Sequence, residues 1–216
     1  MEKREVVNKI ISEGLIPLIR TASPSEAIEI ADAIKKGGAT LLEITMTVSG
    51  AIEVVKELTG KYRDEIIIGA GTVLDPETGR AALLAGAQFI VSPILNLDLI
   101  YLAHRYSVVV IPGATTPTEI LTAWNAGADF VKVFPSVQLG GPEYIKAIRG
   151  PLPQVLIIPT GGVNIENAGA FIRAGAVAVG AGSELVDRKA VVEKRFHVIT
   201  ENTRAFMKAV KEAKEK

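Results

Sequence analysis

Lys132 lies in the middle of an apolar run, Phe130-Val131-Lys132-Val133-Phe134-Pro135. A lysine in such a run is expected to be buried, and buried lysines are rare unless paired. Burial disfavours the ammonium and leaves a nucleophilic amine near neutral pH, the state that Schiff-base chemistry needs. Glu43 presents the same anomaly in Leu41-Leu42-Glu43-Ile44-Thr45, where a two-residue period gives it one strand face with Thr45 and Thr47. Two interior charges of opposite sign in one small domain are expected to face each other. They could be a buried salt bridge, itself weak evidence for stability. The reading favoured here is a nucleophile beside a general acid/base, both with perturbed pKa.

Bulk composition removes several other classes. The chain has 216 residues and a formal charge of zero, with 48% hydrophobic and 22% charged residues. It therefore carries no electrostatic signature of a nucleic-acid or anionic-membrane partner. There is no cysteine, hence no disulfide framework, thiolate nucleophile or Cys-based metal site. His104 and His197 stand far apart with no metal spacing around them, and His104 reads as a helix-surface residue. No metal or organic cofactor is expected. No apolar stretch approaches membrane-spanning length. The charged start, Met1-Glu2-Lys3-Arg4-Glu5, is unlike a signal peptide, so a cytoplasmic location is the expectation.

The elements that must position Lys132 and Glu43 alternate from end to end. Strands are expected at Leu15–Ile19, Thr40–Thr45, Ile66–Gly69, Phe89–Ser92, Val108–Ile111, Phe130–Phe134, Val155–Pro159 and Ala176–Gly180. Several are continuously apolar, as strands of a buried parallel sheet should be. Helix starts lie at Ser23-Pro24-Ser25-Glu26, Asp75-Pro76-Glu77-Thr78, Thr116-Pro117-Thr118-Glu119 and Asn164-Ile165-Glu166-Asn167. Gly37-Gly38 and three Ala-Gly-Ala segments, centred on Gly86, Gly127 and Gly175, are helix stops. Eight β/α units in this length mean a single (β/α)8 barrel domain over residues 1–216, with an extra N-terminal helix near 2–13 and a C-terminal helix near 192–213. An open doubly wound sheet is disfavoured, because no Gly-x-Gly-x-x-Gly follows the first strand.

Active sites of such barrels gather at the C-terminal strand ends. Arg20 ends the first strand and Gly69-Ala70-Gly71-Thr72 follows the third. Ser92-Pro93 and Pro112-Gly113 end the fourth and fifth, and Pro159-Thr160-Gly161-Gly162-Val163 and Gly180-Ala181-Gly182-Ser183 follow the last two. Gly161-Gly162 precedes a helix starting near Asn164, so free backbone N–H groups converge with a helix N-terminus. Gly182-Ser183 is expected to open the last short helix in the same way. Two such turns at these positions suit a phosphate.

The series Glu43-Ile44-Thr45, Gly69-Ala70-Gly71-Thr72-Val73, Ser92-Pro93, Ile111-Pro112-Gly113, Lys132-Val133-Phe134-Pro135, Arg149-Gly150-Pro151, Pro159-Thr160-Gly161-Gly162-Val163 and Gly182-Ser183 resembles the motifs of the 2-keto-3-deoxy-6-phosphogluconate (KDPG) / 4-hydroxy-2-oxoglutarate (KHG) aldolases. The Lys-x-Phe-Pro and Pro-Thr-Gly-Gly segments are the specific parts. The resemblance implies that Lys132 forms the Schiff base and Glu43 is the general acid/base. It assigns the pyruvyl carboxylate to Arg20 and Thr72, near Pro93 and Phe134. It gives the phosphate to Gly161, Gly162 and Ser183, with Thr160 close to the sugar-derived hydroxyls. Some members carry an arginine where this chain has Thr47, so here that duty falls on Arg20. The resemblance also implies a homotrimer.

The expected reaction is cleavage of KDPG to pyruvate and glyceraldehyde 3-phosphate, with KHG as a further substrate that yields glyoxylate. The alternatives are the galactonate epimer as substrate, or a non-catalytic or engineered trimeric scaffold derived from this family. A phosphate-binding barrel for isomerisation or decarboxylation, with Lys132 as a cation facing an enolate, is a further rival.

Overall fold

The helix signals are realised nearly everywhere in the computed structural model, which describes residues 1–215. Helix α1 (Lys3–Glu13) leads into β1 (Leu15–Ile19), α2 (Pro24–Lys36), β2 (Leu41–Thr45) and α3 (Ala51–Tyr62). Then come β3 (Ile67–Gly71), α4 (Pro76–Leu84), β4 (Phe89–Val91), α5 (Leu97–Arg105), β5 (Val109–Ile111) and β6 (Gly113–Ala114). The chain continues through α6 (Pro117–Asn125), β7 (Val131–Val133), α7 (Gly141–Arg149), β8 (Ile157–Pro159) and α8 (Ile165–Arg173). It ends with β9 (Val179–Ala181), α9 (Arg188–Val192) and α10 (Phe196–Lys214). Asp75, Thr116 and Asn164 cap α4, α6 and α8 through their side chains, which satisfies backbone donors that a helix start leaves free. The Ala-Gly-Ala segments follow the last turns of α4, α6 and α8, with the glycine left-handed in each.

All strand pairs are parallel, in two groups. A six-stranded sheet runs β5-β4-β3-β2-β1-β9 and curls as a half-barrel; a three-stranded sheet runs β6-β7-β8. The expected fifth strand is β5, and a further short strand, β6, follows it after Pro112. Pro112 has no N–H to continue the ladder. Its carbonyl instead accepts from Lys132 N at 2.8 Å, and Gly113 N–H turns to Ile94 O at 3.1 Å. The chain leaves β4 and joins β7 at that point. On the far side, Val177 N–H donates to Ile157 O at 3.1 Å and a bridge joins Thr160 to Gly180.

Two apolar clusters result. The larger lies between strands and helices and takes Leu42, Ile44, Ile68, Val131 and Val179 from alternate strand positions. The smaller gathers the other parity from both sheets: Ile16, Leu41, Ile67, Phe89, Phe130, Ile158 and Ala178. Val6 and Ile10 of α1 join it. The amphipathic leading helix thus covers the N-terminal ends of the strands, and Lys3 holds it there with an ion pair to Asp129 at 2.9 Å.

Three expectations are corrected. Ser183 opens no helix: Gly182 O accepts from Leu185 N (2.9 Å) and Val186 N (2.8 Å), closing a turn, and α9 begins at Arg188 under an Asp187 cap. The trailing helix begins at Phe196 rather than near 192, because Lys194 takes a left-handed conformation (φ 54°) that separates α9 from α10. The third strand, expected to end at Gly69, runs on through Ala70 and Gly71, which were expected in the loop and are paired through Thr45↔Gly71.

Candidate active site

Phe130, Lys132 and Phe134 share one face of the β7 segment by the two-residue period, and Leu41, Glu43 and Thr45 one face of β2. Phe130 and Leu41 lie in the smaller cluster, so Lys132 and Glu43 stand one step above it toward the C-terminal strand ends. Both are nearly inaccessible, with Lys132 at 4% and Glu43 at 2% of full exposure. No ion pair among the described residues involves either. Glu43 Oε1 is buried without a hydrogen-bond partner. The closed salt bridge is therefore not formed, and the carboxylate keeps an acceptor open toward the interior.

The two groups still feel each other. Burial pushes Glu43 above the usual carboxylate range, held back by the charges of Lys132 and Arg20. Burial pushes Lys132 below 10.5, opposed by Glu43 and reinforced by Arg20. Desolvation is the largest cause for both. The Lys132 Nζ sits 5.3 Å from the centre of the Phe134 ring. That aromatic face favours a cation formed on the nitrogen, whether ammonium or iminium.

Room for Glu43 comes from Gly71. A Cβ there would lie 1.7 Å from Glu43 Oε1, so the carboxylate rests directly against the glycine backbone. Arg20 follows β1, is exposed, and has no ion-pair partner among the described residues. Thr72 follows β3 in a left-handed conformation (φ 56°), half-buried. Such a conformation is costly for a β-branched residue and clusters at functional sites. Pro93 and Phe134 are half-buried beyond the ends of β4 and β7.

The turn after β8 is held by its carbonyls. Thr160 O accepts from Ser136 N at 2.8 Å, Gly161 O from Val137 N at 3.2 Å and Ser136 Oγ at 3.2 Å, and Gly162 O from Asn167 Nδ2 at 3.0 Å. Gly161 and Gly162 both take positive φ (91° and 76°), where a side chain would be strained. With those carbonyls turned to the protein, the planar peptides direct the N–H groups of Gly161, Gly162 and Val163 the other way, just ahead of α8. None of the three donates to a protein acceptor among the described residues. This is an anion-binding arrangement. Thr160 is buried with its hydroxyl against Gly180, and Ser183 is exposed in the neighbouring turn.

A model of the KDPG and KHG aldolase family matches residues 6–202. The chain belongs to that family. It is 36% identical over 200 residues to a 2-dehydro-3-deoxy-6-phosphogalactonate aldolase of Escherichia coli, covering 92% of this chain and 95% of that protein. It is 36% identical over 180 residues to a 2-dehydro-3-deoxy-phosphogluconate aldolase of Pseudomonas aeruginosa, covering 83% and 81%. A crystal structure of KDPG aldolase from Legionella pneumophila superposes with a TM-score of 0.86 at 31% identity, over 93% of this chain and 97% of that one. That protein holds pyruvate captured at low pH as a covalent carbinolamine intermediate.

Seen as a family member, the chain brings Lys132, Glu43, Arg20, Thr72, Pro93 and Phe134 to the C-terminal ends of β1 to β4 and β7. Gly161, Gly162 and Ser183 lie beyond β8 and β9. The clefts between α4 and α5 and between α2 and α10 contain none of them. Sequence reasoning missed Ser136 and Asn167, which hold the glycine turn. Ser136 follows an aromatic-proline pair with no periodic signal, and Asn167 looks only like the third residue of a cap. No helix is long and apolar enough to cross a membrane, and no group of His, Asp and Glu could hold a metal, among the described residues.

Proposed function

We propose that this chain is a class I aldolase that cleaves 2-keto-3-deoxy-6-phosphogluconate to pyruvate and glyceraldehyde 3-phosphate through a Schiff base on Lys132. The observation that carries the reading is a lysine 4% exposed, with a lowered pKa, beside a buried glutamate whose Oε1 is unpartnered. The galactonate epimer is the second reading, favoured by a match to the phosphogalactonate aldolase that extends over 92% of this chain against 83% for the phosphogluconate aldolase at the same 36% identity. KHG, with glyoxylate as the aldehyde product, is a further candidate substrate.

The neutral Lys132 amine attacks C2, and loss of water gives a protonated imine over the Phe134 ring. Glu43 takes the proton of the C4 hydroxyl, directly or through a water, and the C3–C4 bond breaks. Its electron pair moves into the imine to give an enamine, and the aldehyde leaves. Glu43 then returns the proton to C3, and hydrolysis releases pyruvate and the lysine. Arg20 and Thr72 hold the carboxylate, Thr160 the sugar-derived hydroxyls, and Gly161, Gly162 and Ser183 the phosphate. We further infer one domain in which the two sheets are arcs of one closed (β/α)8 barrel, because hydrogen bonds cross both gaps between them. A cytoplasmic homotrimer fits the family. Exposed Leu74, Ile94, Leu97, Tyr101 and Leu121, on the loops after β3 and β4 and on α5 and α6, would supply apolar surface for assembly.

Reductive trapping with pyruvate tests the reading. One adduct per chain at Lys132 is expected, and Lys132→Met should remain folded with none. Trapping in the wild type should rise with pH to a limb below the ordinary lysine value of 10.5, since the reactive form is the free amine. An adduct on another lysine, or none, overturns the mechanism.

A further inference from the structure

Arg20 touches no carboxylate among the described residues, yet its charge is felt by both Lys132 and Glu43. Its direction must be set from the backbone end. Thr45 reaches that end. It is fully buried, and its hydroxyl donates to Ile19 O at 3.0 Å. The same hydroxyl lies 2.8 Å from Thr47 Oγ1. Since the Thr45 proton is committed to the carbonyl, Thr47 is the donor in the second bond. The result is a chain of two hydroxyls from the mouth of the site to the last carbonyl of β1.

That carbonyl belongs to the planar peptide whose nitrogen is Arg20 N, so fixing it fixes the plane from which the Arg20 side chain departs. The end of β2 is tied on both sides. Thr45 holds β1 through its side chain, and Met46 N–H donates to Gly71 O of β3 at 2.7 Å. Glu43, two residues back on the same strand, rests on that same Gly71. Thr45 therefore sets the relation between the cation of β1 and the acid of β2.

We propose that Thr45 is a positioning residue. Its hydroxyl, backed by Thr47, aims Arg20 at the substrate carboxylate and so sets the preference for 2-oxo acids over uncharged 2-oxo compounds. The proposal rests on the aldolase reading.

The test compares two carbonyl compounds of nearly equal size, pyruvate and pyruvamide, by cyanoborohydride trapping at Lys132. Rates are measured in the wild type, Arg20→Gln, Thr45→Val, Thr45→Ser and Thr47→Ala. The wild type should prefer pyruvate, and Arg20→Gln should lose most of that preference. Thr45→Val keeps the shape of the side chain and removes only the hydroxyl. It should lower the pyruvate-to-pyruvamide ratio by about tenfold or more, as small displacements of a positioning group do, with pyruvamide trapping little changed. Thr45→Ser should restore the ratio. Thr47→Ala, at an exposed position, should lower it less, and it serves if Thr45→Val does not fold. If Thr45→Val, or in its place Thr47→Ala, slows both compounds equally, Thr45 is structural and the proposal fails. If Arg20→Gln leaves the ratio unchanged, the carboxylate role of Arg20 fails, and the proposal with it. A wild type that forms no adduct with either compound overturns the aldolase reading instead.

Discussion

Replacing Gly71 by alanine separates the acid/base from the nucleophile without touching either side chain. The new Cβ would stand 1.7 Å from Glu43 Oε1, 2.3 Å from Cδ and 2.6 Å from Cγ. Non-bonded heavy atoms are at rest near 3.5–4 Å, so the carboxylate must retreat by roughly 2 Å. Gly71 does not use positive φ, so alanine meets no backbone strain there, and the clash with Glu43 is the whole effect. Misplacing a catalytic group by about 1 Å can cost about 100-fold, and general acid–base help is worth about 100- to 10,000-fold in total. Gly71→Ala should therefore lose between those limits in cleavage and in exchange of the pyruvate methyl protons with deuterium oxide. Overpacking should cost about 1–3 kcal/mol of stability, read from urea unfolding.

The assay pairs proton exchange by NMR with reductive trapping at Lys132. Lys132 lies on β7 and a Cβ on Gly71 does not meet it, while moving Glu43 away removes the charge that raises the amine's pKa, so trapping should persist when exchange is gone. Glu43→Gln should behave in the same way. Gly60→Ala serves as the control: Gly60 is exposed in α3 with nothing within 4 Å of a new Cβ. It should leave exchange unchanged and stabilise the helix by about 0.5–1 kcal/mol. Exchange within about tenfold of wild type in folded Gly71→Ala would refute the role of Glu43 as acid/base, since that is below the range such groups supply. Equal loss of trapping and exchange would mean that the substitution collapses the site as a whole.

Two further outcomes are expected. Ser183→Ala should lower kcat/KM for phosphorylated substrate by roughly ten- to a hundredfold, the worth of one hydrogen bond to a charged group, and leave KHG cleavage nearly unchanged; an equal fall in both would remove Ser183 from the phosphate site. Glu119 accepts from the N–H and hydroxyl of both Thr115 and Thr116, and these bonds hold its carboxylate at about 2. A depressed carboxylate stabilises above its ordinary value of 4.5 and loses that as pH falls toward 2. Glu119→Ala should thus cost about 1 kcal/mol at pH 7 by urea unfolding, with the gap to wild type narrowing by pH 3; a gap that stays constant would assign the loss to helix propensity instead.

The parts of this molecule legible in the sequence were those carried by local rules. Asp75, Thr116 and Asn164 announce helices because a short polar side chain before a helical run can satisfy only nearby donors. Lys132 and Glu43 stand out because a charge in an apolar strand has few bland explanations. The further strand after Pro112 was less visible: a proline after Val-Val-Ile reads as a strand end, and only the partner strands show that the chain changes neighbours there. Ser183 was misread because Gly-Ser resembles a helix start, whereas the three-dimensional context closes a turn and leaves the cap to Asp187. The strand at Gly69 was expected to stop there, and Gly71 read as loop, because glycine weakens strands. Both glycines are in β3 because Phe89 and Glu43 need the space where their side chains would be.

That last point explains the polarity of the interior. Below the lysine, alternate strand positions carry large apolar side chains, Leu41, Ile67, Phe89 and Phe130, and α1 covers them with Val6 and Ile10. Above, the same faces carry Gly71, Gly113 and Gly180. Each is filled from the side by a neighbour: the Glu43 carboxylate, the Pro93 backbone and the Thr160 hydroxyl respectively. Glycine there brings polar groups of adjacent strands inward, where aliphatic side chains would have filled the layer. The apolar floor desolvates Lys132 and lowers its pKa, and it desolvates Glu43 and raises that one. An amine with a lowered pKa and a carboxylate with a raised one and an open acceptor then lie above a sealed core. Filling any one of the three glycine positions should disturb the polar neighbour it accommodates before it disturbs the fold, because the apolar layer beneath is untouched.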